Sequence, residues 1–255
     1  MHELQMHTRG QGPDLVMLHG WGMHAGVFDG LAARLSARFT VHAVDLPGHG
    51  GSPMGNLDNV HTRLARMFPE PAAVLGWSLG GQIAMQWAAS RGNCIGRLVL
   101  VGATPKFVRS DDWETGMQLD LLMQLAQEMR DNFDAALSRF LALQVRGMKD
   151  GVSVLRNLRE SFFSRPSPSP MTLEGGLDCL LRNDLRDLAA TLEMPVLIVQ
   201  GAHDTLTHPG AARWLVERMP AARLMWLERA GHAPFISHPE EVADEIVRFC
   251  GTENV

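Results

Sequence analysis

At 255 residues the chain can bury one large core, and α/β proteins of this length commonly remain a single domain. Its 45% hydrophobic and 20% charged content is that of a soluble globular protein, and a formal net charge of −5 speaks against a general nucleic-acid binder. No apolar run approaches the roughly 18 residues of a membrane span, and residues 1–9 lack the layout of a signal peptide, so a cytoplasmic protein is expected. Cys94, Cys179 and Cys250 are scattered, which predicts free thiols and neither a disulfide framework nor a zinc site. The histidines include no H-E-x-x-H pair, so no metal is expected.

In chain order, Glu3–Thr8 alternates polar and apolar residues and reads as an antiparallel edge strand. Short apolar runs then end near glycine: Asp14–Leu18, Phe39–Asp45, Ala72–Leu75, Arg97–Val101, Pro195–Gln200 and Arg223–Leu227. Runs apolar on both faces fit parallel strands covered from both sides. Between them Leu31–Arg38, Gln82–Ser90 and Ala211–Met219 carry helical spacing, so the pattern predicts βαβ units and a mostly parallel sheet. From Pro105 to Ala190 no strand is expected. Leu119, Leu122, Met123, Leu125, Met129, Phe133, Leu137, Phe140 and Leu141 recur at helical spacing there. An insertion of that length predicts a helical cap over 105–190 on a core of 1–104 and 191–255. Pro166, Pro168 and Pro170 cannot continue a helix and predict an extended connector inside the cap.

The chemistry-bearing signal is Gly76-Trp77-Ser78-Leu79-Gly80-Gly81, a G-x-S-x-G turn directly after an expected strand and before an expected helix. A serine there is held in a strained conformation that projects its hydroxyl out of the sheet. Serine needs a base and an orienting acid, and in such sheets these follow in the order Ser, Asp, His on later strand ends. Asp204 follows the Pro195–Gln200 run and His232 follows Arg223–Leu227, which assigns acid and base. His203 and His238 compete with His232, but one shares the acid's loop and the other lies beside Ser237-x-x-Glu240, which reads as a capping box. Asp45, before the nucleophile, reads as part of a structural turn. The oxyanion donors are expected to be the Leu79 amide and, from His19-Gly20-Trp21-Gly22, the Trp21 amide. The Trp21 and Trp77 indoles either line the pocket or simply pack, and the residues alone leave both open.

His19-Gly20-Trp21-Gly22, Asp45-Leu46-Pro47-Gly48-His49-Gly50, Gly76–Gly81 and Gly231-His232-Ala233-Pro234-Phe235 resemble the α/β-hydrolase superfamily. More narrowly, Leu75–Gly81, Arg139-Phe140-Leu141-Ala142-Leu143-Gln144 and His232–Pro239 resemble the pimeloyl-acyl-carrier-protein methyl ester esterases of biotin synthesis. That resemblance implies Ser78, Asp204 and His232 as a triad, Trp21 and Leu79 as oxyanion donors, and Arg139 as a cap contact for the carrier. Phe140, beside it, joins the substrate-binding set. It also implies an acyl carrier protein as partner and no cofactor. Independently, Arg139, Arg146, Lys149, Arg156, Arg159 and Arg165 face only Asp150 and Glu160 between positions 139 and 165, a basic stretch suited to an acidic partner.

A monomeric carboxylic ester hydrolase acting through an acyl-enzyme is the expected function, with small esters also accepted. The triad leaves open a broad carboxylesterase, a thioesterase or a carbon–carbon bond hydrolase, and, in another class, a non-catalytic receptor using the capped pocket.

Overall fold

The computed structural model describes residues 3–90, 95–145 and 151–251. Seven strands form one sheet: β1 (Met6–Arg9), β2 (Asp14–Leu18), β3 (Thr40–Val44), β4 (Ala72–Trp77), β5 (Ile95–Val101), β6 (Val196–Gly201) and β7 (Ala222–Leu227). Their order is β1-β3-β2-β4-β5-β6-β7; β1 runs antiparallel to β3 and every other pair is parallel. The apolar runs thus become strands, with β1 displaced toward Arg9. Leu15, Val16, Met17 and Leu18 of β2 and Val196 to Val199 of β6 are fully enclosed, as strands covered on both faces must be.

Helices cover the sheet: α1 (Asp29–Leu35), α2 (Val60–Met67), α3 (Leu79–Ser90), then α9 (Pro209–Arg218), α10 (Pro234–Ser237) and α11 (Pro239–Cys250). In α11 Val242, Ala243, Ile246 and Phe249 form the buried stripe that helical spacing demands. In α3 Ile83, Met85 and Trp87 are buried, and each such side chain contributes about 1.5–3 kcal/mol. Pro209 opens α9, where the His208 ring caps it by accepting the Gly210 N–H at 3.0 Å.

The expected capping box at α11 is not formed. Pro234 starts the separate short helix α10, so Ser237 is its last residue and cannot take the extended cap conformation. The Ser237 hydroxyl instead contacts His238 Nδ1 at 2.8 Å, and Pro239 starts α11 with no side-chain cap. Cys179 and Cys250 are free thiols, pushed up to about 11 and about 12 chiefly by burial; Cys94 lies outside the described residues.

Between β5 and β6 lie α4 (Leu119–Asp131), α5 (Phe133–Gln144), α6 (Gly151–Phe163), α7 (Pro170–Arg182) and the short α8 (Arg186–Ala189). The stretch of helical spacing breaks at Asn132, whose side chain caps α5 by accepting the Ala135 N–H at 3.2 Å. Ser169 caps α7, accepting the Thr172 N–H; residues 164–169 link α6 to α7, and Pro170, expected in the connector, instead takes the first turn of α7. The chain leaves and re-enters the sheet through a neck. The Leu185 N–H donates to Pro105 O at 2.8 Å, while Arg186 pairs with Asp112 and Asp184 at 2.7 Å each. Among the described residues no helix is long and apolar enough to cross a membrane.

Sheet order positions the functional end. From β2 the chain turns one way, to β3, and then crosses to β4 on the other side. Loops after β2 and β4 therefore diverge, and a crevice opens beyond the strand ends at that switch point.

Candidate active site

Ser78 stands where β4 becomes α3. Its φ is +56°, and among the described residues it alone, apart from glycines, adopts the left-handed region. Such a conformation costs about 1–3 kcal/mol and persists where surroundings enforce it. Here the Ser78 N–H donates to Val101 O at 3.0 Å, and its carbonyl accepts the Gly81 N–H at 2.9 Å. A Cβ at Gly76 would collide with Gly80 O, and one at Gly80 with Leu18 O, so glycine is required for strand and helix to meet this closely. Between enclosed Trp77 and Leu79, Ser78 remains partly exposed.

His232 and Asp204 lie on the loops after the neighbouring strands β7 and β6. His232 Nδ1 is 2.8 Å from Asp204 Oδ2, and both side chains are buried. Nδ1–H donates to the carboxylate, which leaves Nε2 as the ring nitrogen available for proton transfer. Asp204 Oδ1 accepts the Leu206 and Thr207 N–H groups at 2.9 Å each. Burial works to raise its pKa, but the charge of His232 and the hydrogen bonds from His232 and Thr207 prevail and hold it below the usual carboxylate range. The His232 backbone is clamped from two sides: its N–H donates to Gln144 O at 3.1 Å, and its carbonyl accepts the Trp77 indole N–H at 2.9 Å. Gly102 at the end of β5 has φ +47°. A Cβ there would stand 3.1 Å from His232 Nδ1 and 3.2 Å from Asp204 Oδ2, so this position needs glycine for room as well as for φ.

The amides expected to hold an oxyanion belong to the two segments that meet at Ser78. Leu79 is the first residue of α3, where an amide has no carbonyl one turn earlier to bond. A Cβ on Gly20 would lie 3.2 Å from Ser78 Cβ, which puts the Trp21 loop beside Ser78. Buried His19 shapes that loop. Its Nδ1 donates to Gly20 O at 2.8 Å and its Nε2 accepts the Leu46 N–H at 3.0 Å. This pattern needs the neutral ring, and burial followed by neighbouring His49 holds its pKa at about 3.

Trp21 touches the inserted helices. Its indole N–H donates to Leu173 O of α7 at 2.8 Å, and its ring meets Phe140 of α5 edge-on at 5.2 Å. With Ala126, Met129 and Leu177 it also lines a narrow apolar cleft between α4 and α7. Trp77 differs. Only 1% exposed, it packs against His232 and Phe235 and braces the His232 loop, so of its two readings packing is the one its contacts match.

Asp45 is buried in another network. It accepts the Ala25 N–H at 2.7 Å and the Gly51 N–H at 2.9 Å, with His7 Nε2 at 3.3 Å and Arg165 at 3.4 Å. That last contact corrects the sequence reading of the basic stretch. Arg165 is half-buried and pairs with the enclosed Asp45 as well as with Asp29, so it is not a free surface charge of the stretch. Arg139 is exposed and pairs with Glu128 at 2.6 Å. Arg156 and Arg159 are exposed together on α6 beside Val152 and Phe163. Arg146, Lys149 and Asp150 lie outside the described residues.

His203 and His238 stay outside this constellation: His203 is exposed on the Asp204 loop and His238 contacts Ser237. Sequence reasoning did not find Gly102, Thr207, Gln200 or the Gln144 carbonyl. Gly102 had left a signal, a glycine closing a strand run at the sheet's functional end.

The profile of the alpha/beta hydrolase family matches residues 15–245. A pimeloyl-[acyl-carrier protein] methyl ester esterase of Nitrosomonas europaea is 43% identical over 244 residues, 94% of this chain and 97% of the relative. Its namesake from Chromobacterium violaceum is 43% identical over 253 residues, 98% of this chain and 99% of the relative. Among solved structures, an esterase from Exiguobacterium antarcticum superposes with a TM-score of 0.88 at 22% identity, covering 98% of this chain and 96% of that one. An enol-lactonase from Burkholderia xenovorans gives 0.83 at 21%, with the same coverage, and likenesses at these identities speak for the fold alone. With the profile matched from β2 into α11, on a sheet of this order, the chain belongs to the α/β-hydrolase family.

Proposed function

We propose that this hydrolase removes the methyl ester from a dicarboxylic acyl chain carried on acyl carrier protein, as its full-length relatives are named for doing with the pimeloyl chain. The observation that carries the reading is the strained Ser78 at the end of β4 with the buried His232–Asp204 pair on the loops after β7 and β6, in a chain 43% identical to those esterases over nearly its whole length.

The geometry supports a two-step acyl transfer. Ser78 Oγ attacks the ester carbonyl while His232 Nε2 takes its proton, and Asp204 steadies the imidazolium formed. The Trp21 and Leu79 amides receive the oxyanion. The His232 proton then passes to the leaving methoxide, and methanol departs. Water, deprotonated by His232, attacks the acyl-serine and releases the carboxylate with Ser78 restored. Trp21 and Phe140 form an apolar wall from the β2 loop to α5, suited to an alkyl chain. Exposed Arg139, Arg156 and Arg159 offer an acidic carrier a complementary surface that orients it without touching the reacting carbonyl. Residues 105–190 act as the cap. With such a carrier the enzyme works in the cytoplasm, and since one chain supplies the entire site a monomer suffices.

The test is hydrolysis of a panel of methyl esters, free and carrier-bound, by purified protein. Methanol release with a clear kcat/KM preference for the carrier-bound dicarboxylic ester supports the proposal. Equal turnover of free and carrier-bound esters rejects the carrier.

A further inference from the structure

Asp204 holds more hydrogen bonds than keeping it in place requires. Two backbone amides already fix Oδ1. Oδ2, the oxygen that faces His232, is also approached by the Thr207 hydroxyl at 2.6 Å and by Gln200 Nε2 at 3.2 Å. Three donors therefore compete for one carboxylate oxygen, and two of them, Thr207 and Gln200, come from outside the expected triad.

The Gln200 amide can face one way only. Its NH₂ group also reaches Gly201 O at 3.1 Å and Thr207 O at 3.4 Å, so a flipped amide would set an oxygen against three acceptors. In the orientation present, Oε1 is buried with no hydrogen-bond partner. Leaving a buried acceptor unmet costs about 1–3 kcal/mol, and an apolar side chain would avoid it. Thr207 is as closely committed. Its hydroxyl lies 3.0 Å from Gly102 O and 3.3 Å from His232 Nδ1, between the end of β5, the acid and the base.

We infer that Thr207 and Gln200 are positioning residues that act through Asp204, sharing its Oδ2 with His232 and so moderating how strongly the carboxylate holds the imidazolium. The inference rests on the triad reading above. Each added donor draws charge from Oδ2, which weakens its pull on the Nδ1 proton and keeps the imidazole free to accept from Ser78 at lower pH. The titratable group facing Asp204 is His232. From the other elements packed on the pair, β4 presents Trp77, β5 Gly102 and α5 Gln144, all uncharged, while His203 and His208 on the Asp204 loop are exposed.

The experiment is the pH profile of kcat/KM for a small soluble ester in Thr207→Val, Thr207→Ser and Gln200→Met, with Asp204→Asn alongside and melting temperature as the check on folding. Loss of the Thr207 hydroxyl leaves Oδ2 more charged, so the acid limb moves to higher pH. Thr207→Val is expected to lose about threefold more activity at about pH 6 than at about pH 8, in kcat and not in KM. Gln200→Met shifts the same way by less, and Thr207→Ser restores the profile. An unmoved acid limb in Thr207→Val, or a serine variant as impaired as the valine one, overturns the inference while a crippled Asp204→Asn leaves the triad standing. Near-normal activity in Asp204→Asn removes the triad reading and this inference with it.

Discussion

Two strands of the sheet end in a buried aspartate: Asp45 follows β3 and Asp204 follows β6. Both side chains are fully enclosed, both accept two backbone N–H groups, and both have histidine beside them. Both carboxyls are held below their usual range against the effect of burial, Asp45 first by backbone hydrogen bonds and Asp204 first by the charge of His232. Their partners separate them. Asp45 ties Ala25, just after the Trp21 loop, to Arg165 of the insertion, so it joins two pieces of scaffold. Asp204 faces His232, whose loop follows the adjacent strand β7. A saturated buried carboxylate is therefore no mark of catalysis by itself. Sheet order decides which one reaches the base.

The largest expected effect sets the scale. Ser78→Ala should lower kcat by about 10⁴ or more in an ester assay, with His232→Ala close behind, because the two act as one unit. Asp204→Asn should cost about 10³–10⁴ in kcat/KM, since the asparagine amide favours the wrong tautomer of His232. Asp45→Asn sharpens the contrast: kcat/KM should stay within about tenfold while unfolding stability drops by about 1–3 kcal/mol. If calorimetry and kinetics gave these two effects the other way round, acid and scaffold would have been interchanged.

A smaller effect concerns acid stability. Beside Asp45, burial above all holds His19 at about 3, His49 at about 4 and His24 below its usual value. A histidine kept neutral by folding stabilises fully above its unfolded pKa of about 6.5 and loses that contribution as pH falls toward the folded value. The aspartates, depressed likewise, give theirs up only below about pH 4. Melting temperature should accordingly fall between about pH 6.5 and 4, before the carboxylates titrate, and His49→Asn should flatten that slope. A flat curve across the interval would contradict the neutral assignments.

The smallest effect lies on the insertion. Arg139→Glu with Arg156→Glu should raise KM for a carrier-bound ester severalfold, about two- to tenfold, and spare a small soluble ester. Added salt should reduce the difference, because exposed charges are screened over about 10 Å at 0.1 M. Equal losses on both substrates would instead indicate a disturbed cap.

The strands were legible because enclosed parallel strands must be apolar on both faces, and the turn at Ser78 because the glycines it requires lie within Gly76–Gly81. That Asp204 and His232 meet could be read from their places after late strands. Gln200 and Thr207 could not, since a polar residue near a strand end or in the loop after it carries no sign of the carboxylate it will meet after folding. Arg165 misled for the same reason: counted as surface charge, it meets Asp45 across 120 positions of chain. The Ser237 capping pattern failed because Pro234 had already begun a helical turn through it.

Whether Ser78, activated by His232, is the nucleophile is decided by a serine-directed phosphonate followed by peptide mass analysis. The account predicts a single adduct on the peptide carrying Ser78, formed in step with loss of esterase activity and much more slowly in His232→Ala. An adduct on another serine, or activity that survives full labelling of Ser78, would contradict it.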